Sequence, residues 1–224
     1  MAYFPFFIDI KNLRGLVVGG GSVAERKVKG LLEFDANLTV VAEKVSPTLA
    51  ALAKSGRIVL VTRAFSAVDI EDVFYVVAAT DSVEVNKGIS DIARQKNVLV
   101  NAVDSIDDCD FIFSAILKRG DCTVAVSTAG ACPSAAQAVR DRIGECLPDK
   151  IGERLAVLKE KRDALIKDEK QNRDGTKDER QGSGGLTVGE ECGKQKRDDL
   201  TVGEERERQD LAQELKKAVE ELFL

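Results

Sequence analysis

Histidine is absent from the chain, which removes both the commonest metal ligand and the commonest general base. Proton transfer then falls to carboxylates, water or a cofactor, and no metal site is expected. A positive excess is missing too: 33 basic residues stand against 38 acidic ones, for a formal net charge of -5. Neither nucleic acid nor an anionic membrane surface is therefore an expected partner. The longest apolar runs, such as residues 73–79, fall far short of the ~20 residues that span a bilayer. No basic stretch followed by an apolar segment opens the sequence, so a cytoplasmic location is expected. The five cysteines, Cys109, Cys122, Cys132, Cys146 and Cys192, are odd in number and form no C-x-x-C pair. That pattern predicts reduced thiols rather than a disulfide framework or a metal site.

What is present is a chain of 224 residues, 44% of them apolar, enough for a sizeable core in one or two domains. Short β-branched runs alternate with helical stretches through residues 13–113, the pattern of successive β-α units on a parallel sheet. Strands are expected at residues 15–18, 38–42, 57–62, 74–79 and 98–101. Helices are expected at 23–34, 47–54 and 82–96, the last capped by Asp81 or Ser82. The fold class is α/β, a Rossmann-like doubly wound parallel sheet. A small α+β region follows, with strands at 111–118 and 122–127 around a turn at 119–121. Ser134 and Gln137, three residues apart, form a capping-box pattern just after Pro133, and that helix should run to Cys146 before Pro148. Leu155, Leu158 and Leu165 predict a further amphipathic helix over 151–166.

Between residues 167 and 199 the only apolar side chains are Leu186, Val188 and Cys192, too few to offset the entropy of ordering, so disorder is expected there. Leu-Thr-Val-Gly-Glu-Glu occurs at 186–191 and again at 200–205, a duplicated linker rather than a solenoid. Leu211, Leu215, Val219 and Leu222 predict a terminal amphipathic helix over 204–224 that docks on this chain or on its own dimer. The expected divisions are thus 1–113, a nucleotide-binding domain; 114–147, a dimerisation and substrate region; 148–166, helical; 167–203, a charged linker; and 204–224, a helix.

Gly19, Gly20, Gly21, Ser22, Val23 and Ala24 follow an expected strand and open an expected helix, satisfying the G-x-G-x-x-[GA] dinucleotide fingerprint in its strand-turn-helix context. Gly19 permits the turn, Gly21 lets a pyrophosphate approach the backbone, and Ala24 keeps the helix close to the sheet. A glycine turn that binds nothing is the bland alternative, disfavoured because consecutive glycines are entropically costly without a ligand. After the second strand, Glu43 is either a ribose ligand or a solvated loop residue, and Lys44 leaves a phosphorylated cofactor open.

Taken together and in order, several segments resemble the precorrin-2 dehydrogenase and sirohydrochlorin ferrochelatase family, the N-terminal region of sirohaem synthases. They are Phe4-Pro5-Phe6-Phe7, the run Val17 to Lys27, Ala78-Ala79-Thr80-Asp81 with Asn86, Asn101-Ala102-Val103-Asp104, Cys109-Asp110-Phe111-Ile112, and Val126-Ser127-Thr128-Ala129-Gly130 before Pro133. The resemblance implies a homodimer whose dimerisation region closes the site, a helical C-terminal part, NAD as hydride acceptor, and oxidation of precorrin-2 to sirohydrochlorin. It implies Asp104 as the catalytic residue, Thr80 as a further cofactor residue, and Asn101, Ser127, Thr128 and Gly130 as substrate-binding residues. A bland reading of Asp104 is a turn-forming aspartate. Arg119, Arg140 and Arg142 are either partners for substrate carboxylates or solvated surface residues. The alternatives in function are an enzyme that also inserts ferrous iron into sirohydrochlorin, and a non-catalytic NAD- or tetrapyrrole-binding module. Ser114, Asp35 and Cys132 depart from a proline, a glycine and a serine usual at their positions.

Overall fold

The computed structural model describes residues 3–181 and residue 213. Five strands, β1 (Arg14–Val18), β2 (Asn37–Val41), β3 (Val59–Val61), β4 (Tyr75–Ala78) and β5 (Leu99–Ala102), form one parallel sheet in the order β3-β2-β1-β4-β5. Helices α1 (Ser22–Leu32), α2 (Pro47–Lys54) and α3 (Val83–Gln95) connect them, with a 3₁₀ turn at Ala67–Ile70 before β4. The expected doubly wound sheet is what the chain forms.

Strand alternation divides the core between the two faces of the sheet. Val17, Leu38, Val40, Tyr75 and Val77 face Ala24, Val28 and Leu32 of α1 and Leu49 of α2. Leu16, Val18, Val41, Val76, Ala78 and Val100 face Ile89 and Ala93 of α3 and Ile70 of the 3₁₀ turn. Strands covered on both faces are continuously apolar, which is why the β4 sequence Tyr-Val-Val-Ala is buried throughout. Each such side chain contributes roughly 1.5–3 kcal/mol by leaving water.

Caps fix where the helices start. Ser46 accepts a hydrogen bond from the Leu49 amide at 3.2 Å, with Pro47 opening α2, and Ser82 accepts from the Val85 amide at 3.2 Å to open α3. Asp35, where glycine is usual, has φ +55, a left-handed conformation that aspartate tolerates better than most residues.

By backbone contacts the described chain divides into two compact units, Met1–Ser114 with Ser127–Pro133, and Ala115–Val126 with Ser134 onward. In the second, β6 (Ala115–Arg119) and β7 (Cys122–Val126) form an antiparallel hairpin turning through Gly120 at φ +60, followed by α4 (Pro133–Cys146) and α5 (Ile151–Gln181).

Three findings differ from expectation. Residues 111–114 are not strand: Phe111 and Phe113 turn in against the α1-side core, and the Phe111 carbonyl takes its hydrogen bond from the Asn101 side chain. Loop Ser127–Pro133 groups with the nucleotide-binding unit rather than with the hairpin region. Backbone helix continues past residue 166 through Gln181, where the many Lys, Glu, Arg and Gln residues are good helix formers. The repeated hexapeptide, most of the expected linker and the expected terminal helix fall outside the described residues.

Two glycines allow opposite stability tests. A Cβ on Gly20 would lie 2.0 Å from the Lys44 carbonyl oxygen, whereas one on Gly30, inside α1, meets nothing within 4 Å. Gly20→Ala is expected to lower the urea midpoint by about 1–3 kcal/mol of stability, and Gly30→Ala to raise it by about 0.5–1 kcal/mol. Equal responses of the two variants would contradict the packing of the turn against the β2–α2 connection.

Candidate functional site

The strand order reverses between β1 and β4, and a crevice outside the carboxyl ends of strands is expected at that point in an open parallel sheet. The β1 turn enters it at Gly19, whose φ of +125 and would-be Cβ, 2.1 Å from the Ala79 carbonyl oxygen, exclude other residues. Gly19 donates to the Val41 carbonyl at 2.9 Å, and Ser46 donates its amide to the Gly20 carbonyl at 2.9 Å. The turn is thus clamped between the ends of β2 and β4.

Gly21 differs from its neighbours. It is the N-cap of α1, no side chain caps it, and a Cβ there meets nothing within 4 Å. Open space lies before the first amides of a helix, where the backbone N–H groups and the helix dipole favour an anion. These features fit the pyrophosphate of a dinucleotide. Ser22 is exposed beside them, Val23 packs on the core, and Ala24 is fully buried, which brings α1 down onto the sheet. Glu43 and Lys44 are exposed in the connection after β2, within the segment whose backbone abuts Gly20. The choice between ribose ligand and solvated residue stays open for Glu43.

Beyond the turn, Thr80 follows β4 and Asp104 follows β5. Fully buried Asn86 of α3 joins them. Its Oδ1 accepts from the Thr80 amide at 3.1 Å and the Thr80 hydroxyl at 2.8 Å, while Nδ2 donates to the Thr80 carbonyl at 3.1 Å and to Asp104 Oδ2 at 3.1 Å. The Asp104 residue itself is exposed. Gly130, at φ +84, faces the Ile106 side chain two residues past Asp104, where a Cβ would sit 2.3 Å from Cδ1. Loop 127–133 therefore packs beside Asp104.

Not every expected site residue fits its role. Asn101 is 5% exposed, and its Nδ2 donates to the Phe111 carbonyl at 2.9 Å and to Cys109 Sγ at 3.4 Å. Strand alternation turns this side chain under the α1 face, so it supports the loop after β5 rather than meeting a substrate. Thr128 Oγ1 is engaged with Cys132 of its own loop, donating to the carbonyl at 3.0 Å and accepting from the amide at 3.2 Å, and Ser127 Oγ accepts from the Ala129 amide at 3.1 Å. Those hydroxyls shape the loop. Arg119 donates to the Leu147 carbonyl at 2.8 Å, Arg140 pairs with Asp141 at 2.6 Å, and Arg142 pairs with Glu145. Local partners thus engage all three guanidinium groups.

Two charged groups on α1 escaped the sequence reading. Lys29 and Ser46 bond the Glu25 carboxylate, at 2.5 and 2.6 Å, and hold its pKa down at about 2. Lys27 lies with its ammonium 3.6 Å from the Phe113 ring centroid, and burial, with help from Arg26, lowers its pKa to about 8. Burial likewise pushes the nearby Cys109 thiol up. Asn86 left a readable trace, a polar residue in register with Ile89 and Ala93 on the apolar face of its helix. Among the described residues no group of three or more His, Cys, Asp or Glu is placed to hold a metal ion, and no helix is long and apolar enough to cross a membrane.

Residues 6–115 match the family model NAD_binding_7, whose description is "Putative NAD(P)-binding". Siroheme synthase of Mannheimia succiniciproducens is 41% identical over 152 residues, and that of Methylococcus capsulatus 43% identical over 152 residues. Each match covers 68% of this chain and 32% of the relative. Siroheme synthase 1 of Serratia proteamaculans is 40% identical over 157 residues, 70% of this chain and 33% of the relative. The chain spans about a third of the length of these relatives. Among solved structures, "SirC, precorrin-2 dehydrogenase" superposes with a TM-score of 0.63 at 24% identity, covering 96% of this chain and 100% of that one, a likeness of fold.

Gly21→Asp is expected to abolish binding of NAD while leaving the melting temperature equal or slightly higher, since aspartate has room there and caps a helix N-terminus better than glycine by a few tenths of a kcal/mol. Calorimetric titration with NAD beside a thermal melt reads both, and undiminished affinity in the folded variant would remove the turn from the cofactor site. Lys27 supplies a pH test. Its folded pKa of about 8 lies below the ordinary 10.5, so between those values the unfolded chain binds more protons and stability rises with pH. Urea midpoints of the wild type should therefore climb relative to Lys27→Met from pH 8 to 10.5, and parallel curves would refute the burial of that amine.

Proposed function

We propose that this chain is a member of the precorrin-2 dehydrogenase and sirohydrochlorin ferrochelatase family, a reading its likeness to siroheme synthases supports, and that it oxidises precorrin-2 to sirohydrochlorin with NAD as hydride acceptor. One arrangement carries the reading: an open helix N-terminus at Gly21 and an exposed carboxylate at Asp104 stand beyond the ends of β1 and β5, which flank β4 in one parallel sheet, joined through Thr80 after β4 and Asn86. The reaction removes two hydrogens from the macrocycle, one as hydride and one as proton. NAD, when bound, supplies the hydride acceptor.

The chain's own residues do the rest. Amides at the start of α1 hold the pyrophosphate, and Gly19 and Gly20 let the backbone come close enough for them to do so. Glu43 is read as the ligand of the adenosine ribose, and Lys44 beside it leaves a phosphorylated cofactor open. Asp104 takes the proton at its carboxylate, with no histidine in the chain to compete for that role. Loop 127–133 borders the substrate side, offering backbone amides more than hydroxyls. We further take the protein to be a cytoplasmic homodimer: among the described residues Cys109, Cys122, Cys132 and Cys146 form no disulfide, and Phe4, Phe6, Phe7 and Ile8 expose an apolar segment for a second copy to cover. Ferrous iron enters as a second substrate in the bifunctional reading, with Asp104 taking the pyrrole protons.

In Asp104→Ala the fold and NAD affinity should persist, because the residue is exposed and stands away from the glycine turn. Loss of a positioned proton acceptor typically lowers kcat by ~10²–10⁴. An anaerobic spectrophotometric assay with precorrin-2 and NAD measures it, and near wild-type turnover would remove Asp104 from the mechanism. Metal insertion assayed in the same variant tells whether one carboxylate serves both activities.

A further inference from the structure

Asn86 is a polar side chain with no exposed surface, set among the apolar residues Ile89 and Ala93 on the inner face of α3. Burying an amide is unfavourable unless its hydrogen bonds are made, and here both ends are satisfied. Oδ1 faces two donors of Thr80, one of them a backbone amide that cannot exchange roles. That contact fixes the orientation of the amide, so the group turned toward Asp104 is the donating Nδ2. Both oxygens of a free carboxylate on a loop would be equivalent. The Asn86 bond makes them different.

We propose that Asn86 is the positioning residue for Asp104, its Thr80-locked amide holding Oδ2 and leaving Oδ1 to accept the substrate's proton. The proposal rests on Asp104 acting as proton acceptor. Two consequences follow from the geometry. The donor on Oδ2 leaves Oδ1 as the oxygen open to a proton. It also restricts the side-chain rotation of an exposed residue, so the accepting oxygen is held at one place beyond β5. Thr80, which anchors the amide, lies against the glycine turn, since a Cβ on Gly19 would be 3.1 Å from the Thr80 nitrogen. The proton acceptor is thereby referenced to the cofactor turn through a single buried side chain, and the distance between the two cofactor-side and substrate-side groups does not depend on the loop alone.

The test is Asn86→Asp, which keeps the shape and replaces the donor facing Asp104 by an acceptor. Two facing carboxylates share a proton, so kcat at neutral pH should fall at least ~10-fold and the acidic limb of its pH profile should move up by about one unit. NAD affinity and the melting temperature report whether the variant is folded. Asn86→Ser, too short to reach both partners, serves if Asn86→Asp does not fold, and should lose kcat without regaining it at higher pH. Combined with Asp104→Ala, either substitution should produce no further loss of kcat. An unmoved pH limb with full kcat in Asn86→Asp, or losses that add in the double variant, would overturn the tether. Wild-type turnover in Asp104→Ala alone would instead overturn the role of Asp104 on which it rests.

Discussion

The space missing around Gly19 and Gly20 sets the geometry of this protein. A Cβ at either position would overlap backbone, the Ala79 carbonyl in one case and the Lys44 carbonyl in the other. Backbone cannot rotate out of the way as a side chain can, so the β1 turn, the end of β4 and the start of the β2–α2 connection are held at contact distance. Parallel strands then deliver three separate pieces of chain to one edge. Because the turn is this tight, α1 begins immediately above the sheet, Ala24 is buried, and the first amides of the helix open on Gly21 rather than on packed side chains. The same constraint seats Thr80, and through Asn86 it extends to Asp104. The candidate site is consequently a property of the sheet's carboxyl edge rather than of any one loop.

Much of this was legible in the sequence, and the reason is physical. Parallel strands covered on both faces must be continuously apolar, so Leu16-Val17-Val18 and Tyr75-Val76-Val77-Ala78 announced themselves, and glycine is irreplaceable where φ is +125. The strands and the glycine turn therefore followed from local chemistry. Other features depended on tertiary partners that no window of sequence contains. Phe111 and Phe113 have strand-like character, yet Phe111 packs edge-on against Tyr75, ring centroids 6.1 Å apart, and Phe113 against Phe111 at 5.7 Å. Asn101 lay in a run of resemblance with Asp104, which implied a substrate-binding role for it. Alternation along β5 sends the two side chains to different environments, one buried and one exposed. Asn86 was visible as an anomaly in an apolar helix face, but its partners, six residues back and eighteen residues on, emerge only when β4, α3 and β5 are packed together.

Charge around the site is divided by task. The chain has no histidine, so a proton acceptor near neutral pH has to be a carboxylate or a partly neutral amine. Glu25 is committed elsewhere: with Lys29 and Ser46 bonded to it and its pKa held at about 2, it stays ionised at any physiological pH and ties α1 to the N-cap of α2. Lys27 is shifted the other way, to about 8, because its ammonium is buried against Phe113, where the ring face offsets only part of the lost hydration. Its charge is the least secure of the groups on α1, and its location beside Cys109, under the loop that carries Asp104, puts that uncertain charge near the substrate side.

That division gives Asp104 its particular standing. Glu25 is held by Lys29 and Ser46, and Lys27 packs against Phe113, so each is engaged with partners of its own. Asp104 is exposed and bonded on one side only, by a neutral amide. A neutral donor steers the carboxylate without neutralising it, whereas an arginine or lysine in the same place would hold the charge too firmly for proton uptake. The three arginines of the second unit are engaged locally, with Leu147, Asp141 and Glu145. On the proposed reading, an exposed acid tethered by a buried amide keeps one carboxylate oxygen oriented for the proton, and the glycine turn, packed against Thr80, fixes where that amide sits.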